Sequence, residues 1–296
     1  MELANVEAFL AVVREGGFSA AARALHLSQP SVSARIRRLE EGVGEPLFER
    51  AGREARLTAA GRHLLATSED FARAARDLRR VARDFRGLRR GNLDVGATDV
   101  ASIYVLPSAF RRFTRRHPEI DLSVTVEGTE PLLGALRAGR IELAVANLPV
   151  PGEDVEATVV DEDRLLPVLP RTHLLANRKR IAPEDLAETP MITFKSDSVT
   201  RREVDRAFAI RGIEPRVAME ISSPEAIKKL VEVGLGFSFL PARSVRAEIR
   251  AGRVASPALT GMRLDRKIGL LRLKDRYLSP AAEAFASLIR EGGHST

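Results

Sequence analysis

Residues 9–50 of the chain read FLAVVREGGFSAAARALHLSQPSVSARIRRLEEGVGEPLFER. Apolar residues recur there at helical spacing up to the pair Gly16-Gly17, which ends a first helix. Ser19 is placed to cap a second, alanine-rich helix that runs to about Leu25. A tight turn follows, and a third helix begins beyond it. The stretch therefore predicts a bundle of short helices within about the first 57 residues.

The third helix of this bundle has Ser28 as its cap and Pro30 in its first turn, where a missing N–H is harmless. In a helix-turn-helix motif, the second helix enters the DNA major groove with its N-terminal end first. Gln29 can bond an adenine edge with two hydrogen bonds, whereas arginines on this helix favour phosphates. The residues predicted to contact DNA from this helix are Ser28, Gln29, Pro30, Ser31, Ser33, Arg35, Arg37 and Arg38.

The next segment, EPLFERAGREARLT at 45–58, has short apolar pieces on both sides of a tip at Ala51-Gly52-Arg53. This pattern predicts a small hairpin, or wing, and places Arg53 to reach a DNA minor groove. The alternative is a plain three-helix bundle whose arginines are only solvated. The polar face of the third helix, beside its apolar face, favours DNA binding.

Thr58 to Arg90 forms an unbroken helical pattern of 33 residues without proline. At a rise of about 1.5 Å per residue, this helix would reach roughly 50 Å. Apolar residues recur every seven positions, with a second series three positions beyond each, as in a helix that pairs with another helix. The alternative is a helix packed on the core of its own domain. The predicted dimerisation residues are Leu64, Phe71, Leu78, Val81, Phe85 and Leu88.

From Asn92 onward, strand-like runs alternate with amphipathic helical patterns, which predicts α/β units with a largely parallel sheet. The predicted strands are LDVGAT, IDLSVTVEG, IELAVAN, RLLPVLP, MITF, RVAMEIS, GFSFLP and KIGLLRL. The predicted helices span about 103–116, 130–138, 199–211, 225–233, 242–250 and 280–290. The acidic run Asp161-Glu162-Asp163 is predicted to be a solvated turn rather than an acid–base pair.

The positive charge is concentrated at the N-terminal end of the chain. Residues 1–91 contain 17 Arg and no Lys against 12 acidic residues, whereas the remainder is nearly neutral. A basic segment on a neutral body is typical of a polyanion-binding module joined to a domain with another task. The alternative is a set of solvated helix faces in an arginine-rich protein.

The sequence offers little for catalysis or metal binding. Cysteine is absent and the five histidines are scattered, so we expect neither a metal nor a cofactor. No phosphate-binding loop, dinucleotide fingerprint or nucleophile elbow occurs. The chain lacks the opening blocks of a secretory signal, and no apolar stretch approaches the ~20 residues that span a bilayer. The sequence therefore predicts a cytoplasmic protein with no membrane partner.

The N-terminal motifs follow one another in a dense order. They are AAxxL at 21–25, SQPxVS at 28–33, IxxLE at 36–40, GxxLFxR at 44–50 and LTAAG at 57–61. With these motifs, residues 1–60 resemble the winged helix-turn-helix of LysR-type transcriptional regulators. Ala34 departs from the pattern, because many members carry a basic residue or Gln there.

The resemblance implies an organisation for the whole chain. A winged helix-turn-helix domain at 1–57 is joined by a dimerising linker helix at 58–91 to an effector-binding domain at 92–296. That last domain is expected to look like a periplasmic binding protein, with two α/β subdomains around a cleft. Subdomain I is expected at about 92–163 and 267–296, and subdomain II at about 164–266.

Ligands of open α/β sheets lie beyond the carboxyl ends of the strands, near helix N-termini. Thr98 and Thr129 occupy such places, and they match positions where family members offer a Ser or Thr to the effector. Further predicted effector-binding residues are Asn147, Lys195 and Ser196. The alternatives are helix caps for the threonines and a solvent-facing Lys195. Lys195 favours an anionic effector and Asp99 opposes one, so the sequence leaves the charge of the ligand open.

Together these features predict a sequence-specific DNA-binding transcriptional regulator controlled by a small-molecule metabolite, and not an enzyme. Its predicted partners are a double-stranded DNA operator with an imperfect inverted repeat, the effector, and further copies of itself. The resemblance implies a tetramer built from dimers, and RNA polymerase is another candidate partner. The alternative is an α/β enzyme or a solute-binding module with an incidental basic helix bundle. A solute-binding protein would need export, for which the sequence shows no signal.

Overall fold

The structure, a computed structural model, describes residues 2–49, 55–84 and 91–292, with side chains left out at 79–84. Contacts divide the chain into two compact units, 1–85 and 86–296. Among the described residues, no helix is long and apolar enough to cross a membrane.

The helices described in the N-terminal unit share one apolar core. They are α1 Leu3–Glu15, α2 Phe18–Ala24, α3 Gln29–Val43 and α4 Ala59–Asp84. Phe9 from α1 is fully buried, and its ring lies 5.6 Å from that of Phe48, which is 5.3 Å from Phe18. The apolar face of α3 completes the core with Val32, Ile36 and Leu39. The predicted bundle of short helices is confirmed.

The caps of these helices correct one prediction and confirm another. Ser28 caps α3, because its hydroxyl accepts a hydrogen bond from the backbone N–H of Ser31. The prediction that Ser19 caps α2 is wrong, since α2 begins one residue before it and the cap position belongs to Gly17. The Ser19 hydroxyl instead donates to Oε1 of Gln29 at 3.3 Å. Gly44 ends α3 in the left-handed conformation, with φ of 83°.

The base of the predicted wing is present. Phe48 and Leu57 form an antiparallel bridge, and the Glu49 N–H donates to the Arg56 carbonyl at 2.9 Å. Residues 50–54, with the predicted tip and Arg53, lie outside the described residues. The long helix that follows is confirmed over α4, while the end of the predicted span at 85–90, with Phe85 and Leu88, also lies outside the described residues.

Gly61, in the first turn of α4, lies against the wing. A Cβ at this position would be 2.3 Å from the carbonyl oxygen of Leu47, and that carbonyl is fixed because it accepts a hydrogen bond from the Thr58 N–H. Gly42 in α3 is a matched contrast, because a Cβ there would meet nothing within 4 Å. The same substitution should therefore have opposite effects at the two positions.

We expect Gly61→Ala to destabilise the N-terminal unit by roughly 1–3 kcal/mol through overpacking. Gly42→Ala should stabilise it by about 0.5–1 kcal/mol, because alanine favours the helix. Urea unfolding of the full chain, followed by far-ultraviolet circular dichroism, measures both changes. Equal effects of the two substitutions would contradict the close packing of α4 against Leu47.

The described strands of the C-terminal unit form one large sheet and two small ones. In chain order they are β1 Gly91–Ala97, β2 Ile120–Val126, β3 Leu143–Leu148, β4 Val155–Pro170, β5 Arg180–Ile181, β6 Met191–Thr193, β7 Val217–Glu220, β8 Ser238–Pro241, β9 Val254–Ala255, β10 Ala258–Leu259 and β11 Asp265–Leu273. The large sheet has the order β2-β1-β3-β11-β4-β8, with β9 also paired to β4. The two small sheets pair β10 with β5 and β6 with β7.

The prediction of a largely parallel sheet is wrong. Strands β2, β1 and β3 are parallel, as are the pairs β6–β7 and β5–β10, but β11 is antiparallel to both β3 and β4, and β4 is antiparallel to β8 and β9. The predicted solvated turn at 161–163 is also wrong, because these residues lie inside the 16-residue strand β4. Two of the three carboxylates lie near arginines: Asp161 pairs with Arg243, and Asp163 approaches Arg266, whereas Glu162 is exposed.

The described α-helices of the C-terminal unit pack on these strands. They are α5 Pro107–Arg116, α6 Thr129–Arg137, α7 Val199–Ala209, α8 Pro224–Glu232, α9 Ala242–Arg250 and α10 Pro280–Gly292. A single π-helical turn, Ala101–Val105, precedes α5, so the predicted helix at 103–116 is two pieces that meet at Pro107. The other predicted helices are confirmed with small shifts at their ends.

The hydrophobic core of this unit lies in two regions. In one, β1, β3, α5, α6 and α10 pack around Phe113, Leu133 and Phe285. In the other, α7, α8 and α9 pack with β6 and β8 around Phe208, Phe237 and Ile227. Among the described strands, β4 and β11 connect these two regions. β4 pairs with both β11 and β8, and the connection runs through the stretch where 161–165 lies beside 264–268. The unit therefore has two α/β halves connected by these strands.

Candidate DNA-binding face and candidate effector pocket

The N-terminal end of α3 presents a polar face. Ser28, Gln29 and Ser31 are exposed, and the hydroxyls of Ser28 and Ser31 lie 2.8 Å apart. Because Oε1 of Gln29 accepts the hydrogen bond from Ser19 of α2, the helix before α3 positions this glutamine. The side chain is exposed, so its amide NH₂ is accessible to an acceptor. The face thus offers one oriented amide and two hydroxyls at the helix end that enters a groove in helix-turn-helix proteins.

The rest of the predicted DNA-contact residues divide by exposure. Pro30, Arg37 and Arg38 are exposed, whereas Ser33 and Arg35 are half-buried beside the apolar face. Exposed arginines on a helix that flanks an oriented amide are suited to phosphate contacts, which fix the register of a protein on DNA without reading sequence. Arg53 lies outside the described residues.

Helix α4 has two apolar faces, of which one packs on its own unit. Ala72 and Ser68 are buried against that core, and Leu64 and Leu65 pack on it. The other face carries Phe71, which is 40% exposed, and Leu78, which is 71% exposed. Leu64 is thus shared with the unit's own core, whereas Phe71 and Leu78 remain as predicted dimer contacts. The side chain of Val81 lies outside the described ones.

In the C-terminal unit, a pocket of about 440 Å³ lies between the two halves. Its walls come from the carboxyl ends of β1, β2 and β3 on one side and from the segments that begin α7 and α8 on the other. Thr98, Thr129, Asn147 and Lys195 all line it, so four of the five predicted effector residues are brought together. Ser196 does not line the pocket and is exposed.

Three helices begin at this pocket. Gly128 caps α6, Ser198 occupies the cap position of α7, and Ser223, next to the lining residues Ser222 and Pro224, caps α8. Free backbone N–H groups at helix N-termini favour an anion or a hydrogen-bond acceptor. Thr129 is the first residue of α6 and Gly128 is its cap, so the cap alternative for Thr129 is wrong.

Three residues that line the pocket carry buried polar atoms without a partner among the described residues. Oγ1 of Thr98, Oδ1 of Asn147 and Nε of Arg266 are buried and have no hydrogen-bond partner among the described residues. An unsatisfied buried polar group costs about 1–3 kcal/mol, so such groups mark places where something else is bound. Thr98 is held there by its backbone, whose N–H donates to the Val145 carbonyl at 3.0 Å.

Charges of both signs line the pocket. The carboxylates are those of Asp99, Glu127, Glu130 and Asp197, and the cations are those of Lys195 and Arg266. Burial raises the pKa of Asp99, with a further contribution from the nearby charges of Glu127 and Glu225. Glu130 is partly compensated by Arg202, at 3.6 Å.

Two contacts join the halves beside the pocket. The Tyr104 hydroxyl, from the π-helical turn, donates to Glu225 of α8 at 3.2 Å, and Arg202 of α7 reaches Glu130 of α6. Burial raises the pKa of Tyr104, and the carboxylate of Glu225 raises it further. A ligand in the pocket would therefore lie beside groups that hold the two halves at their present angle. Among the described residues, no group of three His, Asp or Glu side chains could hold a metal ion.

Sequence reasoning missed Arg266 and Thr200, which also line the pocket. Thr200 follows the predicted strand MITF and opens α7, so it carries the same signal that identified Thr129. Arg266 has no such local signal, because its place depends on the antiparallel pairing of β11 with β3.

Known proteins resemble the chain over both units. Residues 3–62 match the family described as "Bacterial regulatory helix-turn-helix protein, lysR family", and residues 86–293 match "LysR substrate binding domain". The chain is 34% identical over 282 residues to "HTH-type transcriptional regulator CbbR" of Xanthobacter flavus, covering 95% of this chain and 84% of the relative. It is 33% identical over 285 residues to "Probable RuBisCO transcriptional regulator" of Trichormus variabilis, covering 94% and 85%.

Two solved structures are similar. Full-length CbnR complexed with its target DNA has a TM-score of 0.67 at 26% identity, covering 99% of this chain and all of that one. The effector binding domain of QuiR in complex with shikimate has a TM-score of 0.64 at 28% identity, covering 69% of this chain and 97% of that one.

Proposed function

The chain belongs to the LysR family of transcriptional regulators, and we propose on that premise that a small molecule bound between the two α/β halves controls it. It is a DNA-binding regulator rather than an enzyme, as its relatives are. We assign DNA binding to 1–57, dimerisation to 58–91 and effector binding to 92–296. In the last of these, subdomain I comprises about 92–163 and 267–296, and subdomain II about 164–266.

The observation that carries this proposal is the set of buried atoms without partners at the pocket, on Thr98, Asn147 and Arg266. A ligand that hydrogen-bonds them and also contacts α7 or α8 interacts differently with open and closed arrangements of the halves. Ligand binding therefore shifts the angle between them. Coupling of this kind is usually ~1–3 kcal/mol and is reciprocal, so effector and operator change each other's affinity by one factor.

The exposed apolar face of α4, with Phe71 and Leu78, supports an oligomeric assembly of the regulator. We propose a dimer that reads an operator with an imperfect inverted repeat, two such dimers in a tetramer, and contact with RNA polymerase at the promoter. We propose that the protein acts in the cytoplasm, where its DNA target would lie. The promoter of a RuBisCO operon is the first operator to test, because several relatives carry that target in their names.

We expect the double variant Thr98→Val with Thr129→Val to lose the effector response while it still binds operator. Valine keeps the volume of threonine and removes the hydroxyl, and both threonines line the pocket. A metabolite screen by thermal melting of the full chain identifies the effector, with shikimate as one probe. The hits are then compared between the wild type and the variant.

Ser196→Ala is the matched control, because it removes a hydroxyl close to the pocket that does not line it. It should leave the shift in Tm that each hit causes unchanged. Wild-type shifts in the double variant would place the ligand elsewhere and leave the two threonines without a binding role.

DNA reading has its own prediction. Gln29→Ala should cost ~1–3 kcal/mol on the preferred operator and flatten the ranking of operator variants, since it removes the oriented amide. Arg38→Ala should weaken all duplexes alike and lower the salt slope by about one, as expected of an exposed phosphate contact. Fluorescence anisotropy with a panel of duplexes at several salt concentrations separates the two. An unchanged ranking in Gln29→Ala would refute the role of this face.

A further inference from the structure

Arg266 occupies an unusual place at the junction of the two halves. The amino end of β11 runs antiparallel to β3, with Lys267 opposite Leu148 and Ile268 opposite Asn147. Arg266 therefore stands just beyond the carboxyl end of β3, where it lines the pocket. It is 94% buried, although arginine is among the residues least often buried without a partner.

The guanidinium of Arg266 is poorly compensated. Its one hydrogen bond among the described side chains runs to Asp163 at 3.5 Å, and its Nε has no partner. Asp161, the other nearby carboxylate, is already engaged by both terminal nitrogens of Arg243. Burial lowers the pKa of Arg266, and the charge of Arg243 lowers it further, while Asp163 and Asp161 oppose the shift.

A buried cation with unused hydrogen-bond donors at the wall of a pocket favours the binding of an anion there. Arginine presents five N–H groups in a planar fork that matches a carboxylate or a phosphate, and hydrogen bonds to such a charged group are strong. We propose that the ligand of this pocket carries one anionic group, a carboxylate or a phosphate, and that Arg266 receives it. This inference rests on the proposed function of the pocket and settles the charge that the sequence left open.

The arrangement of strands explains why a single anionic group fits. In the order β2-β1-β3-β11, Glu127 and Asp99 follow β2 and β1, three and two strands away from Arg266. At ~4.8 Å between neighbouring strands, they lie roughly 10–14 Å from it across the sheet. A second anionic group at that end would meet these carboxylates. The end of the ligand near Glu127 and Asp99 is therefore neutral or carries hydrogen-bond donors, such as hydroxyls.

Simple anions test the proposal without knowledge of the effector. Thermal melting of the full chain is measured in sodium phosphate, acetate and chloride at equal ionic strength and pH. We expect phosphate or acetate to raise the Tm of the C-terminal unit over chloride, by about 3–6 °C per tenfold increase above its Kd. The anion that raises the Tm more, phosphate or acetate, identifies the group of the ligand as a phosphate or a carboxylate.

The decisive comparison is between two arginine variants. Arg266→Gln should abolish the difference between the anions. Arg263→Gln removes an exposed arginine three residues away that pairs with Asp265 and does not line the pocket, and it should keep the difference. Where Arg266→Gln alone fails to fold, Arg266→Gln with Asp163→Asn removes both charges of the pair together and serves the same purpose.

The outcomes separate this inference from the function on which it rests. An anion effect that is equal in the wild type and Arg266→Gln reflects exclusion from the protein surface and overturns the role of Arg266. So does the absence of any anion effect in the wild type. If screened ligands are uncharged and depend on Thr98 and Thr129 but not on Arg266, the pocket function stands and the anionic class fails. If ligands depend on none of these residues, both proposals fail.

Discussion

The full chain with Phe71→Asp and Leu78→Asp is expected to sediment as a monomer at micromolar concentration, whereas the wild type sediments as a dimer or larger. Both side chains lie on the face of α4 that its own unit leaves uncovered. Burial against a second copy is worth roughly 1–2 kcal/mol for each, since part of their surface is already covered. A symmetric pair buries four such side chains, so the substitutions remove about 4–8 kcal/mol and raise the dimer Kd by roughly 10³ to 10⁶.

Loss of the dimer should also weaken operator binding, because a monomer contacts one half-site. The matched control is Ala59→Asp with Ala66→Asp, which adds the same two charges seven residues apart at exposed positions off the seam. This control should remain assembled. A wild-type chain that sediments as a monomer, or a seam variant that stays assembled, would show that the exposed face of α4 is not a pairing surface.

The DNA-binding half was predictable from sequence because its signals are local. The cap at Ser28, the glycine at 44 and the apolar face of α3 each act within one or two turns of helix, and the structure has all of them. The error at Ser19 is also local. The residue lies one position inside α2, where its hydroxyl reaches Gln29 from another helix rather than capping its own.

The residues of the pocket were predictable from sequence only where the direction of the chain was enough to place them. Thr98 and Thr129 come at the ends of strands or the starts of helices, and parallel strands bring such ends together. Ser196 does not line the pocket, because β6 ends at Thr193 and Ser196 lies in the exposed turn between β6 and α7. Arg266 depends on an antiparallel crossing strand, which alternation of strands and helices does not indicate.

A second buried cation of the C-terminal unit leads to the other prediction with a large expected effect, which concerns stability. Lys228 of α8 is 96% buried, and its Nζ lies 2.6 Å from Glu225, 3.1 Å from Glu248 of α9 and 2.9 Å from the Ser244 carbonyl, to which it donates. Although burial lowers the pKa of Lys228, the two carboxylates raise it above the ordinary value. For Glu248, burial raises the pKa, but hydrogen bonds, above all from Lys228, lower it overall.

These shifts define the pH window in which the cluster is stabilising. The raised pKa of Lys228 means that its contribution is present below the unfolded value and is lost as pH rises through the folded one. The lowered pKa of Glu248 means that its contribution is present above the unfolded value, near 4.5, and is lost as pH falls through the folded one. The ion pair is therefore fully formed at neutral pH.

We expect Lys228→Met to destabilise the C-terminal unit by about 3–5 kcal/mol at pH 7, because Glu248 is left buried without its main partner. Urea unfolding at several pH values measures this loss. The deficit should shrink toward pH 4.5, where an unpaired glutamate takes up a proton instead of remaining a buried anion. The neighbouring exposed Lys229, which pairs with Glu232, gives the control Lys229→Met, with a loss below about 1 kcal/mol.

The rescue variant separates a charge effect from a packing effect. Lys228→Met with Glu248→Leu removes both buried charges and should recover most of the lost stability, since apolar replacements of a buried pair are often neutral or better. Glu225 would then lose the cation that holds it toward Tyr104 of the other half, so the double variant should be stable yet respond more weakly to effector. A double variant as unstable as Lys228→Met, or a deficit that does not depend on pH, would show that Lys228 acts through packing alone.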